Sequence, residues 1–140
     1  QLVGVYSLEM ARIYNYLLQQ TDKNFTIIHS LDGYDEISLT GDTKVITNTG
    51  EKIMSAETLG KRTVKAADIY GGDTVEEAGK IFLSILNGNG SWSQNAVVLA
   101  NSAMALQCTG KYSNYEECYQ LAIESLESGK ALQVLKKLCA

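Results

Sequence analysis

Three carboxylates follow an apolar stretch in this sequence. The stretch from Phe25 to His29 is rich in aromatic and β-branched residues, which predicts a short, buried, parallel strand. The run DGYDE at positions 32–36 comes after it, and ligands of open α/β sheets bind at this end of the strands. Asp35 and Glu36 are adjacent, and Mg²⁺ takes only one or two carboxylates while water and phosphate oxygens complete its shell. We therefore predict that this pair binds a magnesium–phosphate complex; a solvated acidic turn is the alternative.

The polar residues around the pair have structural and functional interpretations. Asp32 either joins the site or braces the turn through a hydrogen bond to the backbone. His29 is the only histidine and could act as an acid or base or contact phosphate, but it has no sequence partner for nucleophilic catalysis. We interpret it as a structural residue at the strand end. Ser38, Thr40 and Thr43 either wrap a pyrophosphate or hydrogen-bond their own backbone.

A strand–helix–strand unit is expected to position the acidic run. Ser7 is a good N-cap, and apolar residues recur at helical spacing over residues 8–20, which predicts an amphipathic helix. If residues 2–5 form a short strand, the unit is a right-handed parallel crossover. It places the acidic run at the ligand-binding edge of the sheet.

The rest of the chain predicts one hairpin and four helices. Residues 44–47 and 52–54 flank a polar turn that contains glycine, which predicts a β-hairpin, and residues 55–70 predict a loop with one helical turn. The first helix is capped by Asp73 and Glu76 and ends at Gly88, and the second runs from Ser91 or Ser93 to Gln107. The second helix is apolar nearly all round, which predicts that it is buried on most sides. The third is capped by Ser113 and Glu116 and runs through about Leu126, and the fourth covers residues 130–138. In Gly71-Gly72-Asp73, Asp73 predicts a helix cap rather than a phosphate site.

Composition excludes several classes of function. The 140 residues suit one domain, and no apolar run reaches the length of a membrane span or a signal peptide. A net charge of −4 without a basic patch gives no footprint for nucleic acid. The cysteines Cys108, Cys118 and Cys139 are odd in number and widely spaced, which indicates neither disulfides nor a zinc site. We expect a cytoplasmic protein that contacts neither nucleic acid nor membrane.

Five segments carry a family resemblance. They are GVYSLEMARIYNYLLQQ, IIHSLDGYDEISLTGDT, GGDTVEEAGKIFLSILNG, QNAVVLANSAMAL and SGKALQVLKKL. In order and spacing they resemble the C-terminal half of anthranilate phosphoribosyltransferases, and the run DGYDE is the most specific of the matches. The sequence departs from the family at Asp42 and Ala56, where proline is usual, and at Glu77, where asparagine is usual.

The resemblance implies a fold and a reaction. The fold is α/β, with a mixed, mainly parallel sheet flanked by helices, as in the C-terminal domain of nucleoside phosphorylases and phosphoribosyltransferases. The reaction joins phosphoribosyl pyrophosphate to the amine of anthranilate and releases pyrophosphate, in tryptophan biosynthesis. In this family the acidic pair helps to hold Mg²⁺ on the pyrophosphate, and the match gives that role to Asp35 and Glu36.

The resemblance also implies parts that this sequence does not contain. Residues 1–140 are expected to be one domain of a longer phosphoribosyltransferase, whose preceding half supplies a small helical domain, a glycine-rich pyrophosphate loop and most of the anthranilate pocket. The full-length enzyme is expected to be a homodimer through that half. Two alternatives are a pyrimidine nucleoside phosphorylase-like domain and a non-catalytic relative that binds nucleic acid, although the latter should lose the acidic pair and gain a basic face.

Overall fold

A computed structural model describes all residues from 1 to 140 as a mixed sheet with helices around it. The strands are β1 (Leu2–Gly4), β2 (Thr26–Ser30), β3 (Thr43–Thr47) and β4 (Gly50–Met54). The helices are α1 (Leu8–Leu18), α2 (Ala56–Gly60), α3 (Val75–Leu86), α4 (Trp92–Cys108), α5 (Tyr115–Glu127) and α6 (Lys130–Leu138), with a 3₁₀ turn at Ala66–Ile69. The predicted α/β class is confirmed, and the segment 55–70 contains two helical turns rather than one.

The four strands lie in the order β1-β2-β3-β4. β1 pairs with β2 in parallel, and α1 connects them, which is the predicted strand–helix–strand unit. β2–β3 and β3–β4 pair antiparallel. The prediction of a mainly parallel sheet is therefore wrong for this chain, because the predicted β3–β4 hairpin contributes a second antiparallel pairing and joins the sheet beside β2. β2 is buried along its whole length.

Helix starts follow local capping chemistry, in two cases one residue later than predicted. Ser7 caps α1 as expected, accepting a hydrogen bond from the backbone N–H of Met10 at 3.2 Å. Thr74 rather than Asp73 caps α3, because the hydroxyl of Thr74 reaches the N–H of Glu77. Likewise Asn114 rather than Ser113 caps α5. In both corrected cases a glutamate three residues after the cap still folds back, onto the residue before the cap.

α4 and α5 pack together beneath the sheet and carry much of the core. The buried face of α4 consists of Ala96, Ala100, Ala103 and Met104, whereas most of its other residues are half-buried. Only Trp92 and Ala105 of the helix are exposed, which agrees with the prediction that α4 is buried on most sides. Tyr115 of α5 donates to the carbonyls of Leu59 at 2.8 Å and Ala100 at 3.1 Å. Burial raises the pKa of Tyr115 far above its usual value, so its hydroxyl remains a donor.

α3 lies apart from this core. Its apolar residues include Val75, Phe82 and Leu83, which are 92%, 51% and 46% exposed. Ile85, near its C-terminal end, is its one buried residue. None of the helices has the length and hydropathy required to cross a membrane.

Candidate functional site

The predicted metal-binding pair lies on an exposed loop, the acidic loop (Leu31–Glu36), which follows the C-terminal end of β2. Every residue of this loop is exposed, and the next residues, Ile37, Ser38 and Leu39, are at most 2% exposed. Ile37 and Leu39 belong to the main hydrophobic cluster, together with residues of the sheet, α2, α4 and α5. The exposed, charged loop is therefore followed directly by a buried segment, residues 37–39, which we call the buried base of the loop.

The carboxylates of Asp35 and Glu36 are not engaged within the chain. The lysines of the chain that form salt bridges do so with Glu51, Glu76, Glu116 and Glu124. The chain has no group of three or more histidine, cysteine or acidic residues that could hold a metal ion. The donor set here is two adjacent carboxylates in water, which fits Mg²⁺, because Mg²⁺ keeps several waters and takes substrate phosphates as its other ligands.

Ser30, the last residue of β2, organises the acidic loop from below. Its hydroxyl donates to the backbone carbonyl of Glu36 at 2.6 Å and accepts from the backbone N–H of Ser38 at 3.2 Å. Its N–H donates to the carbonyl of Tyr34 at 3.0 Å. Ser30 was not among the residues selected from the sequence, although a serine between an apolar strand and an acidic turn is a recognisable signal for such local bonding.

Asp32 and the neighbouring hydroxyls bond to one another. The carboxylate of Asp32 accepts hydrogen bonds from the hydroxyls of Ser38 and Thr40, so it braces the loop through hydroxyls rather than through the predicted backbone N–H. Thr43 is fully buried and contacts the hydroxyl of Ser30 at 3.2 Å. The arrangement favours the local-bonding alternative for Ser38, Thr40 and Thr43 over a pyrophosphate wrap.

Two further residues fix the backbone of this region, and neither was predicted from the sequence. The side-chain amide of Asn101 on α4 bonds both backbone groups of Ile37, at 3.0 Å and 2.9 Å. Gly4, at the end of β1, leaves room for the Asp35 carbonyl, because a Cβ at position 4 would lie 1.7 Å from that oxygen. An amide within an apolar helix was the available signal for Asn101, since a buried polar group requires a partner.

His29 lies within the sheet rather than on the acidic loop. It is 6% exposed, and its Nδ1 lies 2.9 Å from the carbonyl oxygen of Val5. A carbonyl can only accept, so Nδ1 carries the proton and donates it. This bond joins the end of β1 to β2 and supports the structural interpretation of His29.

One groove of the chain lies away from the acidic loop. It measures about 500 Å³ and is lined at the other end of β2 by Asn24, Phe25 and Thr26, and by the β3–β4 turn. No residue of the acidic loop lines this groove, and Asp35 and Glu36 are exposed to solvent.

Comparison with known proteins gives consistent matches over nearly the whole chain. A family model described as glycosyl transferase family, a/b domain, matches residues 1–132. The chain is 54% identical over 138 residues to a protein of Christiangramia forsetii named anthranilate phosphoribosyltransferase, which is 99% of this chain and 41% of that protein. A protein of the same name from Flavobacterium johnsoniae is also 54% identical, over 99% of this chain and 42% of its own length. The chain thus spans about two fifths of the length of these curated relatives.

Solved structures agree in fold. The chain resembles a structure of anthranilate phosphoribosyltransferase from Saccharomyces cerevisiae in complex with PRPP and Mg, with a TM-score of 0.82 and 24% identity over 96% of this chain and 39% of that one. It also resembles the Thermus thermophilus enzyme of the same name, with a TM-score of 0.81 and 26% identity over 96% of this chain and 40% of that one. The predicted resemblance is confirmed.

Proposed function

This chain belongs to the glycosyl transferase family, of which it contains the a/b domain, and we propose that it is the C-terminal part of an anthranilate phosphoribosyltransferase. The observation that carries the proposal is the acidic loop: two adjacent carboxylates, free of partners in the chain, on a buried base. The relatives that are 54% identical carry the same name. The proposed enzyme is a cytoplasmic pentosyltransferase of tryptophan biosynthesis that acts on phosphoribosyl pyrophosphate and anthranilate.

The reaction requires stabilisation of a leaving group rather than a covalent nucleophile. The bond between ribose C1 and a pyrophosphate oxygen breaks, the amine nitrogen of anthranilate forms the new bond to C1, and the amine loses a proton. Negative charge grows on the departing pyrophosphate, and charge that develops in the transition state is where fixed electrostatic partners contribute most. A bound Mg²⁺ would supply that charge neutralisation.

The residues of this chain contribute the placement of the cation. Asp35 and Glu36 would hold it at the C-terminal edge of β1 and β2, and the exposed loop leaves the remaining coordination positions open to phosphate oxygens and water. Ile37 and Leu39, which follow the acidic pair, are fully buried, and this limits the movement of Asp35 and Glu36. Such preorganisation is what electrostatic catalysis requires.

A chimera tests the activity. The segment of the Christiangramia forsetii relative that matches this chain is replaced by the 138 matching residues of this chain. Loss of anthranilate fluorescence is then followed with phosphoribosyl pyrophosphate and Mg²⁺. We expect turnover in the chimera. A folded chimera without turnover, beside an active parent, would contradict the proposal. Phosphorolysis of a pyrimidine nucleoside by the chimera would favour the nucleoside phosphorylase alternative.

The acidic pair is tested in the same chimera with the double change Asp35→Asn and Glu36→Gln. These amides keep the shape of the loop and remove both charges. Since even an outer-shell partner of a metal typically contributes about 10–100-fold in affinity or activity, we expect the Mg²⁺ requirement to rise by about 100-fold. Unchanged kinetics across a Mg²⁺ titration would exclude Asp35 and Glu36 as ligands.

The 140-residue chain by itself is expected to fold and to lack transferase activity. Positioning two substrates supplies a large part of such catalysis, and in this chain the acidic pair is exposed to solvent. The purified chain is mixed with both substrates and Mg²⁺, and anthranilate fluorescence is followed. Sustained enzyme-dependent loss of the signal would show that these residues contain a complete site. The homodimer expected of the full-length enzyme remains a proposal that its mass in solution would test.

A further inference from the structure

We propose that Asn101 of α4 is a positioning residue. It fixes the backbone of the acidic loop and so holds the carboxylates of Asp35 and Glu36 in one defined position for binding a divalent cation. The inference rests on the proposed function, because it takes the acidic pair as the cation site. Asn101 itself contacts neither carboxylate. It acts through the backbone of Ile37, the residue that directly follows Glu36.

The side chain of Asn101 holds both backbone groups of one residue. Its Oδ1 accepts from the N–H of Ile37 at 3.0 Å, and its Nδ2 donates to the carbonyl of Ile37 at 2.9 Å. The same Nδ2 donates to the carbonyl of Val97 on its own helix, also at 2.9 Å. The two carbonyls require the NH₂ group and the N–H requires the oxygen, so the three partners determine which way the amide points.

The position of Ile37 makes these bonds consequential. Its side chain is fully buried, so a backbone N–H or carbonyl left there without a partner is costly. Loss of the amide should therefore shift the Ile37 backbone in search of other partners.

A shift at Ile37 passes directly to Glu36 through the peptide bond that joins them. The carbonyl of Glu36 belongs to that same peptide unit, and it accepts a hydrogen bond from the hydroxyl of Ser30 at 2.6 Å. The acidic loop is thus tied to β2 through Ser30 and to α4 through Asn101. Helix α4 belongs to the main core cluster through Ala100 and Met104, so Asn101 links the cation site to the rigid part of the molecule.

The test uses the 140-residue chain, with Mn²⁺ alone as the probe, since Mn²⁺ shares the oxygen-ligand preference of Mg²⁺. Electron paramagnetic resonance measures free Mn²⁺ at the millimolar concentrations that two carboxylates require. Amide hydrogen exchange at Ile37 reports the backbone directly. The wild type and the Asp35→Asn, Glu36→Gln chain define binding at the loop.

For Asn101→Ala we expect exchange at the Ile37 amide to rise by at least about tenfold, because a buried amide loses its acceptor. Mn²⁺ binding should weaken by about 10–100-fold, the effect typical of outer-shell partners. Gln107→Ala is the matched control. Gln107 is another amide side chain on α4, and its position near the C-terminal end of the helix is remote from the acidic loop. This control should leave both readouts unchanged.

Asn101→Asp separates position from charge and serves if the alanine variant does not fold. It keeps the shape and the acceptor for Ile37, and it replaces the donor by a carboxylate oxygen that faces two carbonyls. An added negative charge by itself would strengthen cation binding, whereas loss of position would weaken it. Weaker Mn²⁺ binding supports the proposal, and equal or stronger binding overturns it.

Failure of the inference and failure of the proposed function give different results. A wild type that binds Mn²⁺ no better than the chain lacking both loop carboxylates removes the cation site, and the positioning role with it. A wild type that binds Mn²⁺ at the loop, beside Asn101 variants that bind it equally well, overturns the positioning role alone.

Discussion

Gly4→Ala should move the acidic loop without touching its carboxylates. An alanine Cβ at this position would lie 1.7 Å from the carbonyl oxygen of Asp35 and 2.9 Å from its carbonyl carbon, whereas ordinary contact begins at 3.4 Å. The two atoms must therefore separate by about 1.7 Å, the difference between these distances. The Asp35 carbonyl is a backbone group and cannot rotate away as a side chain would, and Gly4 is held in register with Ile28 of β2. The loop is consequently the part that moves.

Gly4→Ala is expected to lower both stability and activity. Overpacking of this kind typically costs about 1–3 kcal/mol, a fall that denaturant unfolding of the 140-residue chain would measure. A misplacement of about 1 Å at an active site can cost about 100-fold in rate. In the chimera we therefore expect kcat/KM for phosphoribosyl pyrophosphate to fall by about 100-fold, with a raised Mg²⁺ requirement.

Gly71→Ala is the matched control, since no atom lies within 4 Å of a Cβ at that position. It should leave the Mg²⁺ dependence unchanged. If the Gly4 variant is folded and its kcat/KM and Mg²⁺ requirement equal those of the Gly71 variant, the acidic loop tolerates displacement. Such a result would refute a role for the position of the loop in the proposed reaction.

Three further predictions concern stability and ionisation. Leu99→Ala should cost about 1–2 kcal/mol in denaturant unfolding, below the roughly 2–5 kcal/mol of a fully buried leucine, because Leu99 is half-buried; a larger cost would mean that α4 is more enclosed than described. Tyr115→Phe should cost about 1–3 kcal/mol by the same measurement, since two backbone carbonyls lose their donor, and an unchanged midpoint would contradict it. The hydrogen bond from Lys61 holds the pKa of Glu116 below its usual value. The stability that this bond contributes is therefore present above the ordinary glutamate range and is lost as pH falls through the lowered pKa. A carboxyl NMR titration should show the pKa of Glu116 returning toward 4.5 in Lys61→Met, and an unchanged pKa would exclude the Lys61 bond as its cause.

Patterns that depend on a single element were predictable from the sequence. The N-cap at Ser7, the β3–β4 hairpin and the buried β2 all follow from residues within a few positions of one another. Helix starts near Asp73 and Ser113 were off by one residue, because the neighbouring Thr74 and Asn114 offer competing side-chain acceptors. Local chemistry gives the presence of a cap more reliably than its position.

Features that join distant segments were not predictable in this way. The acidic loop could be located because its residues are consecutive, but Asn101 meets Ile37 across 64 positions. Gly4 approaches Asp35 only because β1 and β2 pair in parallel. The directions of β3 and β4 also depend on which strand β3 pairs with. Because β3 pairs antiparallel with both β2 and β4, the sheet has two antiparallel pairings and one parallel pairing.

The exposed apolar side of α3 divides the chain into parts of unequal stability. Local opening requires the least free energy where few apolar contacts are lost. Ile85 is the one buried residue of α3, so few such contacts hold this helix to the rest of the chain. Its amide protons should therefore exchange through fraying of the helix, well below the free energy of global unfolding, whereas those of β2 should exchange only when the whole molecule unfolds. A protease should cut first between residues 71 and 84 and leave the sheet, α4 and the acidic loop associated.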